Sequence, residues 1–327
     1  MRRPESIAIV GLGLIGGSLA KRLLVRGIQV VSWDLDPQTR AKAGAAGIDC
    51  VSDIEQVCAG EPDLLILAVP LHQIAGVAGA LLPNLPARTI VSDVGSVKAP
   101  IAALMAELGL ASRYVGTHPM AGSEQSGFDW ASADLLLGAP WVLTLMPETP
   151  RTGVELMMSM VTRDLEGRVH PLTNDVHDAS VALVSHLPHA VANELLTVVG
   201  TSEFAAVAIG LAAGSFRDGT RVAGTNPRRT EAMLLDNKEW LEAAVRQAIA
   251  GLTRFADALA AGEDVAPFFD DPAAIKVRIQ THSRQSGWID FAALDEGQWQ
   301  SELLALGARG GLVTAVEPGT DRLQVSW

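Results

Sequence analysis

Ile7-Ala8-Ile9-Val10-Gly11-Leu12-Gly13-Leu14-Ile15-Gly16 is the stretch that decides the fold. Four consecutive apolar residues read as a parallel strand buried on both faces. The run ends at Gly11, and Gly11-x-Gly13-x-x-Gly16 opens a helix carrying Leu19, Leu23 and Leu24 on one side and stopped by Gly27. A second strand, Gln29 to Trp33, leads to Asp34, 18 positions after Gly16 (34 − 16). A glycine triplet alone is a weak signal. With a strand before it, a helix behind it and an acid ending the next strand, it becomes a dinucleotide-binding fingerprint. Gly11 allows the tight turn, Gly13 lets backbone approach a pyrophosphate, Gly16 packs helix on strand, and Leu14 and Ile15 begin a helix whose N-terminus faces the phosphates. Asp34 is suited to accept from adenosine ribose hydroxyls and to repel a 2′-phosphate, so the expected cofactor is NAD rather than NADP, a preference that nearby Asp36 and Arg40 moderate.

The alternation continues outward from this unit. Leu64 to Val69 is another buried strand, broken at Pro70; Thr89 to Gly95 is the next, followed by Ser96-Val97-Lys98 and a helical stretch to Leu108. Tyr114 to Thr117 and Trp141 to Leu145 complete the set. The fold class is therefore α/β, a Rossmann-type doubly wound sheet over residues 1–170. Ligands of such sheets gather at the carboxyl ends of strands, and Gly11, Val69-Pro70, Gly95-Ser96 and His118 all stand there. From Thr173 the period becomes helical: Ala179 to Val199, Glu203 to Ala213 and Thr230 to Ala261 are rich in Ala, Leu and Val. Residues 171–268 thus read as a mostly helical domain, apolar on more than one face, and a homodimer through it is expected. Residues 269–327 hold a helix from Gly297 to Ala308 and a hairpin from Leu312 to Val325 through Pro318-Gly319, a small C-terminal α/β appendage.

Composition bounds the function. The 327 residues carry 25 basic and 37 acidic side chains, a net charge of −12, with no local basic patch, which argues against nucleic acid or an anionic membrane as partner. Arg2 and Arg3 before the apolar run imitate a signal peptide, but the glycines weaken such a helix and the run is too short to span a membrane. Cys50 and Cys58 form neither a C-x-x-C pair nor a disulfide framework, as suits a cytoplasmic protein.

Within Val115-Gly116-Thr117-His118-Pro119-Met120-Ala121-Gly122-Ser123-Glu124, an apolar lead-in delivers a histidine to a point where proline forbids helix. That is how a strand end presents a titrating side chain to a crevice. Arg217 and Arg221, four apart, read as one helix face, either of them a surface charge or a carboxylate clamp. His177, Asp178, His186 and His189 invite a metal site, but Pro188 interrupts the helical spacing and no H-E-x-x-H or comparable pattern is present, so no metal is expected.

Four stretches, Asp93-Val94-Gly95-Ser96-Val97-Lys98, Gly116 to Glu124, Ser185-His186-Leu187-Pro188-His189 and Phe216-Arg217-Asp218-x-Thr220-Arg221-Val222-Ala223, together with the glycine fingerprint, resemble the prephenate/arogenate dehydrogenases of tyrosine biosynthesis. The resemblance runs in order from about residue 6 to residue 265. It implies oxidation of a cyclohexadienol by NAD with loss of carbon dioxide, His118 as the base that takes the hydroxyl proton, and Ser96 bonding that hydroxyl or orienting the imidazole. A helix N-cap is the other reading of Ser96. The resemblance further implies Arg221 as the carboxylate clamp, His189 as a pocket residue and Glu124 as a gate or an orienter of cations. Thr230 and Ala232 depart from it, standing where many relatives carry a tryptophan and an acid, next to an extra pair, Arg228 and Arg229. Prephenate and arogenate, a keto acid and an amino acid, remain alternatives, as does a nicotinamide-binding regulator without turnover. A β-hydroxyacid dehydrogenase would share the first domain but is expected to place a catalytic lysine in the second, and Thr173 to Arg229 contains no lysine.

Overall fold

The computed structural model describes every residue except Glu124, His282 and Ser283. The chain forms two compact units, one of Met1–Asp178 with Ser286–Trp327 and one of Ala179–Gln285.

The strands of the first unit are β1 (Ser6–Val10), β2 (Gln29–Trp33), β3 (Asp49–Cys50), β4 (Leu64–Leu67), β5 (Ile90–Asp93), β6 (Tyr114–Pro119), β7 (Pro140–Thr144), β8 (Arg168–Leu172), β9 (Ser286–Asp290), β10 (Leu312–Val316) and β11 (Arg322–Ser326). They make one sheet in the order β3-β2-β1-β4-β5-β6-β7-β8-β10-β11-β9. Pairing is parallel from β3 to β6, antiparallel between β6 and β7, parallel between β7 and β8, and antiparallel from β8 to β9. The chain reverses direction across the sheet between β1 and β4, so a crevice opens at their carboxyl ends.

Helices α1 (Leu14–Val25), α2 (Pro37–Ala45), α3 (Leu71–Leu81), α4 (Ala99–Glu107) and α5 (Arg151–Ser159) connect these strands. Alternate residues of β1 enter opposite cores: Ile7 and Ile9 join Leu19, Leu23 and Trp141 on one face, while Ala8 and Val10 join Leu65, Ile74 and Met105 on the other. Burial on both faces is what the unbroken apolar runs require. Helix α1 ends in a Schellman turn: Gly27 has φ +72° and Ile28 N donates to Leu23 O at 3.1 Å.

The unit boundaries differ from those read in the sequence. The helical domain was expected to begin at 171, but α6 (Asn174–Val181) carries the boundary within it. Nor do residues 269–327 stand apart as one piece: α12 (Pro267–Thr281) belongs to the second unit, and the remainder extends the first unit's sheet, Val313 of β10 pairing with Val169 of β8. Helix α13 (Gln298–Ala308), buried along one face, lies against β8 so closely that a Cβ on Gly307 would overlap the carbonyl of Pro171. Arg151 clamps this segment from α5, donating to Phe291 O and Leu294 O, each at 2.6 Å.

The second unit holds the end of α6, α7 (Leu187–Thr201), α8 (Ala205–Gly210), α9 (Gly214–Thr220), α10 (Pro227–Asp236), α11 (Lys238–Ala261) and α12. The helix expected from Ala179 to Val199 contains a π-turn at Ala182–His186, immediately before Pro188 in the first turn of α7, where its missing N–H costs least. The helix expected from Thr230 to Ala261 is two helices broken at Asn237 (φ −120°, ψ 30°). The buried Asn237 amide lies 3.0 Å from His186 Nδ1, and this tertiary bond competes with helical continuity.

Because neither α13 nor β8 has room to yield, Gly307→Ala should destabilise the first unit by about 3 kcal/mol or more, at the upper end for overpacking. Urea denaturation followed by tryptophan fluorescence checks this; an unchanged midpoint would show that the contact relaxes freely.

Candidate active site

In the first unit, Gly11 has φ +96°, and a Cβ there would lie 2.5 Å from Ala68 O. A Cβ on Gly16 would overlap Gly11 O, whereas around Gly13 nothing comes within 4 Å. Two glycines are therefore demanded by backbone packing and the third leaves space for a ligand. Helix α1 starts at Leu14 with no side-chain cap on its first N–H groups, so those of Leu14 and Ile15 are available to an anion. Asp34 Oδ2 accepts from Leu12 N at 2.7 Å and Oδ1 from Asp36 N at 2.9 Å, which anchors the carboxylate beside the glycine loop. Arg40 donates to Asp34 O at 2.6 Å, so the cation nearest to where a 2′-phosphate would sit is already engaged with backbone. Val69 and Pro70 follow β4 beside Gly11 and lead into α3. The cradle fits NAD in all these respects.

Two strands further on, β5 and β6 are cross-linked below their carboxyl ends. Lys98 is fully buried and donates from Nζ to Asp93 Oδ1 and, at 2.8 Å, to Thr117 O. Asp93 also accepts from Tyr114 Oη at 2.6 Å and from Gly95 N at 2.6 Å. Burial lowers the Lys98 ammonium, opposed by Asp93 and Asp178; burial also drives the Tyr114 phenol well above its ordinary value, reinforced by Asp93. A buried pair of this kind contributes less to stability than to register, since losing one partner strands the other. Here it sets the end of β6, where His118 follows Thr117.

His118 stands on β6 opposite Val142 of β7. Its Nδ1 lies 2.9 Å from His177 Nε2, and His177 Nδ1 lies 2.7 Å from Asp178 Oδ1. Thr173 starts α6, its hydroxyl accepting from Val176 N at 3.3 Å, and this places the buried His177-Asp178 pair one turn inside the helix. Asp178 in turn accepts from Lys98 N at 2.8 Å and Ala99 N at 2.9 Å, capping α4 from across the fold. Burial alone would raise the Asp178 carboxyl, but the bonds from His177, Ala99 N and Lys98 N outweigh it and hold the group below its ordinary value. With one proton in each link, Asp178 accepts from His177 Nδ1–H, His177 Nε2 accepts from His118 Nδ1–H, and the His118 lone pair rests on Nε2. Ser96, half-buried between β5 and α4, is therefore not the cap of α4, as one reading of the sequence had it; Asp178 fills that role.

In the second unit His189 occupies the first turn of α7, which packs against the 3₁₀ turn Arg221–Gly224. Its pKa is lowered, first by burial, opposed by the Val222 backbone, and further by the charges of Arg229 and Arg221. Arg217 and Arg221 do not share one helix face, because α9 ends at Thr220 and Arg221 opens the tighter turn. His177, His186 and His189, once drawn together as possible metal ligands, have separate surroundings: the His118 chain, Asn237, and the two arginines. Glu124 lies outside the described residues. Sequence reasoning missed the roles of His177, Asp178 and the Asp93–Lys98 pair; the adjacent His-Asp dipeptide was the local signal.

The chain resembles known proteins over most of its length. Residues 19–170 match the model of the prephenate dehydrogenase nucleotide-binding domain, and residues 173–268 that of the prephenate dehydrogenase dimerization domain. The chain belongs to the prephenate dehydrogenase family. It is 32% identical to a cyclohexadienyl dehydrogenase of Zymomonas mobilis over 85% of this chain and 97% of that one, and 32% identical to a prephenate dehydrogenase of Bacillus subtilis over 72% and 65%. Among solved structures, a prephenate dehydrogenase from A. aeolicus in complex with hydroxyphenyl propionate and NAD+ superposes with a TM-score of 0.77 at 29% identity, covering 84% of this chain and 98% of that one. An arogenate dehydrogenase from Synechocystis gives 0.70 at 29% identity, covering 84% and 97%. As a member of the family this chain is an NAD-dependent oxidoreductase. Residues 269–327 lie beyond both family models.

Two outcomes follow from the site's electrostatics. Asp178→Asn puts an amide where two lone pairs are used, so turnover should fall about 10²-fold or more while NAD affinity is kept, measured by NADH formation and by fluorescence titration. Full turnover would show that the histidine chain does not orient His118. His189, with its folded pKa below the ordinary 6.5, leaves stability complete above that value and lost as pH falls through the lowered one. His189→Gln should flatten this acid loss in denaturant titrations between pH 7 and 5 (about the window where histidine titrates).

Proposed function

We propose that the chain converts prephenate to 4-hydroxyphenylpyruvate, carrying one step of tyrosine biosynthesis. The observation that carries the reading is the ordered chain Asp178–His177–His118, which leaves a lone pair on His118 Nε2 at a strand end of a dinucleotide-binding sheet. Bound NAD supplies the hydride acceptor. His118 takes the proton of the ring hydroxyl as the hydride leaves the carbon that bears it. The bond between the ring and its carboxylate then breaks, carbon dioxide departs, and the electron pair completes the aromatic ring. The oxygen is left as a phenolate and regains from His118 the proton that His118 took. Positioned base catalysis of this type is worth about 10²–10⁴-fold. Asp178 is held in the ionised form by three hydrogen-bond donors, so positive charge developing on the two imidazoles is stabilised while the tautomer stays fixed. Ser96, whose hydroxyl is not used as a cap, bonds the same ring hydroxyl.

Arg221 supplies the guanidinium for a substrate carboxylate, and His189 lines the same pocket as a neutral hydrogen-bonding group. The assembly is a homodimer through the helical unit. Support comes from the match to a dimerization domain and from apolar side chains left exposed on α7, α8 and α11, among them Val198, Val207, Ile209, Ile249 and Leu252. We place it in the cytoplasm with no nucleic-acid or membrane partner, which its two unpaired cysteines and its net charge of −12 favour. Among the described residues no helix is long and apolar enough to cross a membrane.

NADH formation with prephenate tests the reading directly; no turnover with prephenate or arogenate, with NAD or NADP, would overturn it. His118→Asn should keep NAD binding and lose at least about 10²-fold in turnover. Arg221→Ala should chiefly raise KM with kcat much less affected, because a carboxylate remote from the reacting carbon is bound similarly in ground and transition states. An unchanged KM would remove Arg221 from the pocket.

A further inference from the structure

Strand β8 carries the acid end of the histidine chain into place. It ends at Leu172, one residue follows, and α6 begins at Asn174. That residue, Thr173, accepts from His177 N through its carbonyl at 3.0 Å. The imidazole that meets His118 therefore sits on a helix start joined to the strand without slack, and a shift of β8 is a shift of His177. The link at stake is short. His177 Nε2 lies 2.9 Å from His118 Nδ1, and a hydrogen bond of this kind is lost by about 3.5 Å.

On one side β8 pairs with β7 along its whole length, but on the other only Val169 stands opposite a partner, Val313 of β10. Pro171 has no N–H to offer that edge, so packing must supply what pairing does not. His118 is opposite Val142 and Val142 opposite His170, which puts these three on one face of the sheet. Val169 enters the other face, in one core with Trp141, Leu303 and Leu306. Helix α13 presses on that second face, with Gly307 against the Pro171 carbonyl, so it bears on β8 from behind His118. The segment that supplies α13 is itself fastened elsewhere. Arg151 of α5 donates to Phe291 O and Leu294 O and lies 4.5 Å over the Phe291 ring, and Gln300 donates to Met146 O, beyond the end of β7, at 2.9 Å.

We infer that Ser286–Trp327, which lies outside both family domains and which no step of the reaction uses, is a buttress for the proton-accepting chain, and that Gly307 is a positioning residue: by fixing β8 from behind, it keeps His177 at bonding distance from His118. The inference rests on the reading of His118 as the base. Without β10 and α13, β8 would end the sheet with an open edge and an apolar face in water, and such strands open at the least cost. An oriented base tolerates little of this, because a site about 1 Å too loose loses most of its advantage. Gly307 acts through β8 and His177, not on the reacting atoms. The dinucleotide cradle at β1 lies five places along the sheet from β8, in the order β1-β4-β5-β6-β7-β8, and stays outside its reach.

The test compares wild type with G307A, R151M and L81A, each corrected for the fraction folded at the assay temperature. Leu81 is a control, a buried side chain that closes α3 at the end remote from the crevice. G307A should lower kcat about tenfold or more, part of the 10²–10⁴ that a positioned base supplies, with KM for prephenate and Kd for NAD within about twofold of wild type. The acid limb of its kcat profile should move to lower pH, because an imidazole that loses its link to a carboxylate is protonated less readily. R151M unfastens the segment without a clash at β8; it should move both quantities the same way by a smaller factor, and it decides the matter should G307A not fold. L81A should lose stability yet keep kcat and the pH profile. Proton NMR adds a readout that needs no turnover. The proton between His118 Nδ1 and His177 Nε2, assigned through isotopically labelled histidine, should give a slowly exchanging downfield resonance in the wild type and be shifted or lost in G307A. Wild-type kcat, pH profile and resonance in folded G307A, or in R151M should G307A not fold, overturn the buttress. So does an L81A that loses kcat and shifts its profile as G307A does. A wild type that turns over neither prephenate nor arogenate overturns the proposed reaction instead, and the resonance still tells whether the segment holds the two imidazoles together.

Discussion

The first unit's chemistry depends on one buried carboxylate. Asp178 lies in α6, yet its two oxygens satisfy the N–H groups that α4 leaves without a carbonyl partner at its start and hold the imidazole that holds His118. A buried acid without partners would be neutral and would orient nothing. Three donors keep this one ionised, and the same bonds fix α4 relative to α6. Position and protonation are therefore set together, which is what a base needs if it is to accept a proton without first rotating or changing tautomer.

A second buried charge works beside it. Lys98 and Asp93 tie the end of β5 to Thr117 on β6, and Tyr114 closes the remaining lone pair of the aspartate. The arrangement spends polar groups where apolar ones would pack more stably. In exchange the loop holding Ser96 and the strand holding His118 cannot slip past one another. In the second unit, by contrast, the cations are exposed and the imidazole beside them is kept neutral.

Much of this was legible in the residues. The fingerprint of Gly11, Gly13, Gly16 and Asp34 is local, because turn geometry, helix start and strand end all lie within one βαβ unit. The strand ends at Pro70, Ser96 and His118 followed from apolar runs alone. What escaped were contacts between distant segments. His177 and His186 both sit in helical stretches of the sequence, but one faces His118 and the other Asn237. Asn237 also broke a helix that its neighbours' periodicity carried straight through, since a single side-chain bond to another helix decides the matter there. The tail's hairpin was visible, but its attachment to β8 was not, because one-to-one strand pairing is chosen by what edge is left open.

By itself, then, the sequence determined a dinucleotide-binding sheet followed by helices, NAD as the cofactor and His118 at a strand end, because each of these rests on interactions within a few turns of chain. Only the tertiary structure decided which nitrogen of His118 holds the lone pair, which group caps α4, and which arginines bear on His189. Those are settled by groups 59 residues apart in the case of His118 and His177, and 80 in that of Lys98 and Asp178, brought within hydrogen-bonding distance only when the core closes.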